Sequence, residues 1–291
     1  MSQLRLNPLT GRWVTVATDR TARPDDFHRE QLAVETGPGR PCPFCPGNEE
    51  ATPPALETYG TTGEWALRVV PNRFPAFEGS DPMTVKNLGP VFNQAPASGI
   101  HEVFVFSREH GDGWADLDDL QAGLVMAALR DRFEDHSRVA GIRYTQAIVN
   151  KGREAGASLA HPHGQLLGMP FVPGEVAEEE AGFRRFAGGC VLCTAAEAER
   201  DAGARVIHDA DGVLVVCPYW SRAPFEMLVI PDDHGGHMAK ADPRALAAVG
   251  RAIRDVLAKL RTALDSDVSY NLVGHTLPHH HDEQFHWHVH L

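Results

Sequence analysis

The chain has 291 residues, with 27 Lys or Arg and 39 Asp or Glu, so its formal net charge is −12. This length fits about two domains, and an apolar fraction of 43% excludes wholesale disorder. The acidic balance disfavours nucleic acid and anionic lipid as partners. No apolar run approaches the roughly 20 residues of a membrane span. The polar start after Met1 lacks a signal-peptide core, so a cytoplasmic protein is expected.

Four of the five cysteines form two CxxC motifs, Cys42-Pro-Phe-Cys45 and Cys190-Val-Leu-Cys193. In a chain expected to be cytoplasmic, such pairs indicate metal ligands or a redox dithiol before structural disulfides. The first pair lies in a Pro- and Gly-rich stretch, residues 37–54, and this loop character favours two thiolates converging on an ion over a thioredoxin-like setting. Cys217 lies in an apolar run and is predicted to be a small buried hydrophobe.

The second half of the chain repeats the first. The sequence VVPNRFPAF at residues 69–77 returns as VVCPYWSRAPF at 215–225, and VFVFSREH at 103–110 returns as MLVIPDDH at 227–234. Each copy continues with apolar residues at helical spacing, a strand-like segment and a histidine cluster. These helices and strands are predicted over residues 117–129, 144–150, 246–260 and 270–274.

The repeat predicts two α+β units, residues 1–184 and 185–291. Most of the acidic run Glu178–Glu180, close to this boundary, is predicted to be a solvated helix start. The histidines of the polar loop His279–His281 are likewise predicted to be solvated, with an adventitious metal patch as the alternative.

Each unit offers two cysteines and two histidines to a metal ion. The expected ligand sets are Cys42, Cys45, His110 and His161 in the first unit and Cys190, Cys193, His234 and His286 in the second. A Cys2His2 set is typical of a closed tetrahedral zinc site, which leaves no open position for Lewis-acid catalysis. The sequence therefore predicts one or two structural zinc ions per chain. The alternative is that either cysteine pair is reduced and unliganded.

The segment NKGREAGASLAHPHGQ, residues 150–165, combines glycines with donors suited to phosphate oxygens. These donors are Asn150, Lys151, Arg153 and Ser158, and Gly156 is among the glycines that allow close approach. In an extended strand, His161 and His163 lie on the same face, one toward the metal and one toward a pocket. A neutral imidazole at His163 can attack phosphorus covalently, with Gln165 as a neutral donor to phosphate. The alternative is that His163 is a structural histidine.

These motifs resemble the galactose-1-phosphate uridylyltransferase family of the histidine-triad superfamily. RLNPLTGRW at residues 5–13, CPFCPGNE, VVPNRFPAF, FSREH and GASLAHPHGQ follow in family order over nearly the whole chain. The resemblance implies two histidine-triad-like units whose antiparallel sheets form an open half-barrel with flanking helices, usually in a homodimer. It also implies ping-pong transfer of UMP from UDP-glucose to galactose 1-phosphate through a nucleotidyl-histidine.

The resemblance assigns roles to individual positions. His163 matches the nucleophile, Gln165 matches the glutamine at the phosphoryl group, and the Cys2His2 set of the first unit matches the zinc ligands. Positions that line the nucleotide pocket or hold phosphates correspond here to Arg20, Arg23, Asn72, Phe74, Asn150 and Ser158. Some members build the second metal site from residues that match Glu179, His275, His288 and His290. We favour the cysteine version because thiolates bind zinc more tightly.

The sequence also departs from the family pattern. Arg73 stands where many members have an acidic residue, and Ala160 stands where many have proline. Family members continue past the second histidine cluster with a segment that helps to bind the sugar, whereas this sequence stops at Leu291. Either such a segment lies outside this sequence or the sugar is handled differently.

Other functions fit part of the pattern. A nucleotide-sugar phosphorylase or adenylyltransferase, acting for example on ADP-glucose with phosphate, would have the same residues around His163. A non-enzymatic zinc protein would bind nucleotide without forming an adduct. A nucleic-acid-binding zinc protein is disfavoured, because the net charge is −12 and no basic stripe with interleaved aromatic residues is present.

Overall fold

The computed structural model describes residues 3–16, 41–61 and 63–291. The strands of this part of the chain are β1 (Gln3–Leu6), β2 (Trp13–Val16), β3 (Glu57–Thr61), β4 (Glu64–Pro71), β5 (Lys86–Asn87), β6 (Asn93–Gln94), β7 (Ile100–Val105), β8 (Tyr144–Lys151), β9 (His163–Met169), β10 (Val206–Ala210), β11 (Val213–Val216), β12 (Leu228–Pro231), β13 (Tyr270–His275) and β14 (His288–His290). The α-helices are α1 (Asp119–Ser137), α2 (Gly174–Arg185), α3 (Val191–Ala202) and α4 (Pro243–Leu264). None of these helices is long and apolar enough to cross a membrane.

Ten of the strands form one antiparallel sheet whose order shows the repeat. From edge to edge, the order is β10, β11, β12, β14, β13, β8, β9, β7, β4 and β3. The first five come from the second half of the chain and the last five from the first half, in matching positions on either side of the pair β13–β8. At this central seam Asn271 lies opposite Asn150. The expected α+β class, with two repeated units and an open antiparallel sheet, is confirmed.

The apolar side chains on one face of the sheet form a continuous core, which helices cover. Because side chains alternate between the faces of a strand, eight strands contribute every second residue to it. These residues include Val69, Phe104, Val149, Leu166, Val215, Val229, Leu272 and Val289. Helices α1 and α4 cover this face and contact each other, and a Cβ at Gly250 would lie 2.3 Å from the carbonyl oxygen of Ala122. Both helices were predicted from their apolar spacing, and Cys217 packs half-buried against this core.

Helices α1 and α4 each begin at a side-chain cap. The Asp118 side chain accepts a hydrogen bond from the backbone N–H of Gln121, and Asp242 accepts one from the backbone N–H of Arg244 at the start of α4, where Pro243 is the first helical residue.

Helix α2 covers the opposite face of the sheet, where Phe183 packs with Leu9. The boundary expected between residues 184 and 185 falls in the last turn of this helix.

The expected solvation of two polar segments is wrong for most of the acidic run and for one histidine of the loop His279–His281. Glu179 and Glu180 are buried in α2 rather than solvated, and Glu179 Oε2 lies 2.8 Å from His275 Nδ1. In the histidine loop His280 is exposed as expected, whereas His279 is buried with its Nε2 2.8 Å from Thr145 Oγ1. In each case the partner comes from a strand distant in sequence, and a buried polar group needs such a partner.

A buried ion pair fastens α1 to β7. Glu102 is 2% exposed and accepts hydrogen bonds from Arg132 at 2.6 and 2.9 Å, and His136 Nε2 lies 3.2 Å from Glu102 Oε1. Burial alone would raise the pKa of Glu102, but His136 and Arg132 hold it below its ordinary value. The contribution of this carboxylate to stability is therefore present at neutral pH and is lost as the pH falls through the lowered pKa.

Replacing Glu102 by glutamine is expected to lower the free energy of unfolding by about 3 kcal/mol, because the buried Arg132 charge then keeps only the half-exposed carboxylate of Asp135 as an ionic partner. Denaturant unfolding at neutral pH measures this loss. The matched control is Glu134→Gln on the same helix, where the carboxylate pairs with Arg138 at the surface and the expected change is below about 1 kcal/mol. Equal effects of the two substitutions would contradict a stabilising role for the buried ion pair of Glu102 and Arg132.

Candidate active site and metal clusters

His163 begins β9 on the open face of the sheet, opposite the helix-covered core, and is 9% exposed. Its Nδ1 lies 2.8 Å from the backbone carbonyl oxygen of His161. Because a carbonyl oxygen only accepts hydrogen bonds, Nδ1 carries the proton and Nε2 of the neutral ring keeps its lone pair. The Phe44 ring lies 5.2 Å away between centroids, and burial lowers the pKa of His163. The site thus presents a neutral imidazole nitrogen suited to nucleophilic attack.

The glycine-rich loop that follows β8 borders His163. Asn150, Gly152 and His163 line one small cavity. Gly152 and Gly156 have φ of 84° and 88°, a left-handed conformation that favours glycine and lets a backbone approach a ligand closely. Ser158 is exposed on the same loop. The loop therefore offers small residues and polar groups at the place where a phosphate would meet His163.

Asn271 of β13 ties this loop to the second half of the chain. Its Nδ2 donates to Asn150 Oδ1 at 2.7 Å and to the carbonyl oxygen of Ala155 at 2.9 Å. Asn150 accepts through its oxygen there, so its own NH2 group remains available to a ligand. Lys151, in contrast, pairs with Asp267 at 2.8 Å. Sequence analysis missed Asn271 because only the register of β13 against β8 reveals its position.

A second missed residue, His101, joins two of the residues predicted from the sequence. Its Nε2 lies 2.8 Å from Gln165 Oε1 and 3.0 Å from Asn72 Nδ2. Asn72 in turn accepts from the backbone N–H of Phe74 at 2.8 Å, and the Phe74 side chain is 82% exposed. Alternation along β7 could have indicated His101, since it shares a face with Val103. Two further predicted residues, Arg20 and Arg23, lie outside the described residues.

Cluster 1 consists of Cys42, Cys45, His110 and His161, whose ligand atoms lie within 4.8 Å of one another. Cys45 Sγ is 3.3 Å from His110 Nδ1 and 3.6 Å from His161 Nδ1. His161 Nε2 donates to the carbonyl oxygen of Ser107 at 2.8 Å, which leaves its Nδ1 lone pair facing the thiol. A tetrahedral zinc ion would hold sulfur and nitrogen ligands about 3.5 Å apart, so the donor set fits zinc.

Cluster 2 repeats this arrangement with Cys190, Cys193, His234 and His286. Cys193 Sγ is 3.3 Å from His234 Nδ1 and 3.4 Å from His286 Nδ1. His286 Nε2 donates to the carbonyl oxygen of Pro231 at 2.8 Å, as His161 does to Ser107. The two clusters thus occupy matching places in the two halves and have the same donor chemistry.

Cluster 3 consists of Glu179, His275, His288 and His290, the alternative ligand set for the second metal. Glu179 Oε2 lies 2.8 Å from His275 Nδ1 and 3.6 Å from His288 Nε2. His288 Nδ1 donates to the carbonyl oxygen of His286 at 2.8 Å, which makes His288 the counterpart of His163 in the second half. The chain therefore assembles both alternatives at separate places. The Nε2 of His288 faces cluster 3 rather than a pocket.

The fold and this site define a histidine-triad type of protein, and residues 199–291 match the model described as the HIT domain. Residues 1–173 match the model described as the N-terminal domain of galactose-1-phosphate uridyl transferase. The chain belongs to this galactose-1-phosphate uridyl transferase family.

Relatives of known name align with almost the whole chain. An ADP-glucose phosphorylase of Arabidopsis thaliana is 29% identical over 281 residues, covering 95% of this chain and 78% of that protein. A galactose-1-phosphate uridylyltransferase of Thermotoga maritima is 26% identical over 296 residues, covering 99% and 86%. The crystal structure of an Arabidopsis thaliana ADP-glucose phosphorylase with bound ADP-glucose is similar with a TM-score of 0.81 and 28% identity, covering 100% of this chain and 88% of that one.

Proposed function

We propose that the protein is a nucleotidyltransferase that moves UMP from UDP-glucose to galactose 1-phosphate through a covalent intermediate on His163. The observation that carries this proposal is the fixed tautomer of His163, whose Nδ1–H donates to the His161 carbonyl oxygen while Nε2 is free beside a glycine-rich loop. Family membership supports the same chemistry.

In the first step, the Nε2 lone pair attacks the α-phosphorus of the nucleotide sugar. An N–P bond forms, the bond from that phosphorus to the bridging oxygen breaks, and sugar 1-phosphate leaves with the electron pair. The imidazole becomes cationic, and its Nδ1–H donates more strongly to the His161 carbonyl. In the second step, a phosphate oxygen of the acceptor sugar 1-phosphate attacks the phosphorus and the N–P bond breaks. Neither step requires a proton to move.

Gln165 is proposed to donate from its NH2 group to a phosphate oxygen, and Asn150, Gly156 and Ser158 to surround the phosphates. A glutamine at this position donates a hydrogen bond but is a poor proton shuttle to water, so the adduct would survive until the acceptor arrives. Asn72 and Phe74, together with Arg20 and Arg23, are proposed to contact the nucleotide.

Zinc is the metal that we propose for clusters 1 and 2, because two thiolates and two imidazole nitrogens suit it. These ions would be structural, since four protein ligands close the coordination sphere. Cluster 1 would hold the backbone of His161, whose carbonyl oxygen accepts from His163. The metal would thereby fix the orientation of the nucleophile without touching the substrate.

A second candidate is phosphorolysis of ADP-glucose by the same route, with inorganic phosphate as the acceptor. The specific observation in its favour is the similarity in sequence and structure to Arabidopsis thaliana proteins of that name. The residues around His163 would serve both reactions, because the two differ only in the nucleobase and in what the acceptor phosphate bears.

One measurement tests covalency and nucleotide identity together. The protein is mixed with UDP-glucose and, separately, with ADP-glucose, and its intact mass is recorded. We expect a mass increase of one uridylyl group with UDP-glucose, whereas an adenylyl group added only from ADP-glucose would establish the second candidate. Nucleotide binding without any adduct would overturn both and leave a non-enzymatic binding protein.

We further propose that residues 1–184 form the catalytic unit, that residues 185–291 form its partner unit, and that the chain is a homodimer. The five cysteines are all unpaired, which suits a reducing compartment. The cytoplasm is the location that we propose.

A further inference from the structure

We propose that His101 is a positioning residue for the reaction: it fixes the side-chain amide of Gln165 so that the NH2 group of Gln165, and not its oxygen, faces the phosphate. This inference rests on the proposed function of Gln165. It depends on three contacts around one imidazole ring, and sequence motifs mark none of them.

The tautomer of His101 follows from its backbone partner. The backbone N–H of Ala76 donates to His101 Nδ1 at 2.9 Å. Since an N–H only donates, Nδ1 must be the unprotonated nitrogen, and in a neutral ring the proton then lies on Nε2. The Nε2–H needs an acceptor, and Gln165 Oε1 lies 2.8 Å away.

The other contact of Nε2 cannot serve as that acceptor. Asn72 Nδ2 lies 3.0 Å from it, but Asn72 Oδ1 already accepts from the backbone N–H of Phe74 at 2.8 Å. Turning the Asn72 amide would set its NH2 group against that N–H. Asn72 therefore turns an NH2 group and not an oxygen toward His101, so its approach to the Nε2–H is a close contact and not a hydrogen bond, and Gln165 Oε1 is the acceptor that remains.

The register of the sheet places His101 and Gln165 close enough for this contact. His101 lies opposite Leu167, and Gln165 lies opposite Val103, in the antiparallel pair β7–β9. The two side chains are thus diagonal neighbours on the open face, a spacing that long side chains can bridge. Because its oxygen is held by His101, the Gln165 amide cannot turn over, and its NH2 group is oriented before the substrate arrives. Such preorganised donors stabilise charge that develops in a transition state.

The test is a double-mutant cycle on the rate of adduct formation, measured by intact mass in single turnovers. The probe is whichever of UDP-glucose and ADP-glucose labels the wild-type protein. His101→Ala is expected to slow the reaction about 10-fold, and Gln165→Ala about 100-fold. The double variant should be no slower than Gln165→Ala, because two residues that act through one another are not additive. KM should change little, since the lost contact matters mainly in the transition state.

Two further substitutions separate orientation from packing. His101→Gln can still accept from Ala76 and donate to Gln165, so its rate should lie within about threefold of the wild-type rate. His101→Phe keeps a ring but no hydrogen bond, and should be as slow as His101→Ala. His208→Ala, at a half-buried histidine on edge strand β10, is the control for loss of an imidazole and should leave the rate unchanged.

Different results would overturn the role of His101 and the proposed nucleotidyl transfer. An unchanged rate in His101→Ala, a further tenfold loss when it is added to Gln165→Ala, or no recovery in His101→Gln would overturn the role of His101 while nucleotidyl transfer stands. If neither nucleotide sugar labels the wild-type protein, the proposed function fails, and the positioning role fails with it.

Discussion

Replacement of His163 by glycine is expected to lower turnover by at least about 10⁴-fold, because the covalent route closes when its nucleophile is removed. No nucleotide adduct should form with UDP-glucose or ADP-glucose. The fold should persist, since the His163 side chain makes one hydrogen bond to a neighbouring carbonyl and packs near Phe44 at the open face. Steady-state kinetics and intact mass measure the two losses.

Metal content and the thermal unfolding midpoint of the His163→Gly protein should remain near the wild-type values, which distinguishes a lost nucleophile from a lost fold. His208→Gly is the matched control, because His208 is a half-buried histidine on edge strand β10, well separated in the sheet order from β9. Normal turnover in the His163 variant would exclude a nucleophilic role for this residue.

Local patterns predicted the parts of this molecule that depend on neighbours in sequence. The apolar spacing of α1 and α4 and the strand-like composition of β8 and β13 are local properties, so these elements could be predicted from the sequence. The internal repeat predicted more than local elements, because two copies of one unit can pair in only a few ways. It led to the two Cys2His2 sets, and the structure brings each set together within 4.8 Å.

The interactions that sequence analysis missed all join residues distant in the chain. His101 contacts Gln165 only because of the register of β7 against β9, and Asn271 contacts Asn150 only because of the seam between the halves. A run of glutamates has no local sign of burial, so Glu179 was expected to be solvated, and only the family resemblance grouped it with His275, His288 and His290. Its histidine partners come from β13 and β14, and only the folded sheet places them around it.

The second half repeats the backbone contact of His163 at His288, but in different surroundings. His288 has the same Nδ1 contact as His163, to the carbonyl oxygen two residues before it. Its Nε2, however, lies 3.1 Å from His290 Nε2, and His290 occupies the place that Gln165 has in the first half. A ring whose lone pair faces buried ligand groups cannot meet a phosphate. The residues around a shared histidine motif, Glu179, His275 and His290 in the second half, thus separate a candidate nucleophile from a candidate ligand.

Cys45→Ser is expected to remove one equivalent of zinc and to slow adduct formation by about 10- to 100-fold, the range typical when the groups that orient a site are lost. The physical reason is the series of contacts that connects cluster 1 to His163. Cys45 contacts His161, and the His161 carbonyl oxygen fixes the proton on His163 Nδ1. Loss of the metal frees the backbone at this point, so the ring loses its orientation. Elemental analysis and intact-mass kinetics measure the two effects, and the unfolding midpoint should fall.

The repeat supplies a matched control for this substitution. Cys193→Ser is the same change at the matching position of cluster 2, and it too should remove one equivalent of zinc and lower the unfolding midpoint. Its effect on adduct formation should stay within about threefold, because cluster 2 supports His288 and not His163. Cys217→Ser, outside both clusters, should change neither zinc content nor rate. If Cys45→Ser and Cys193→Ser slowed the covalent step equally, the connection from cluster 1 through His161 to His163 would not explain the result, and general destabilisation would.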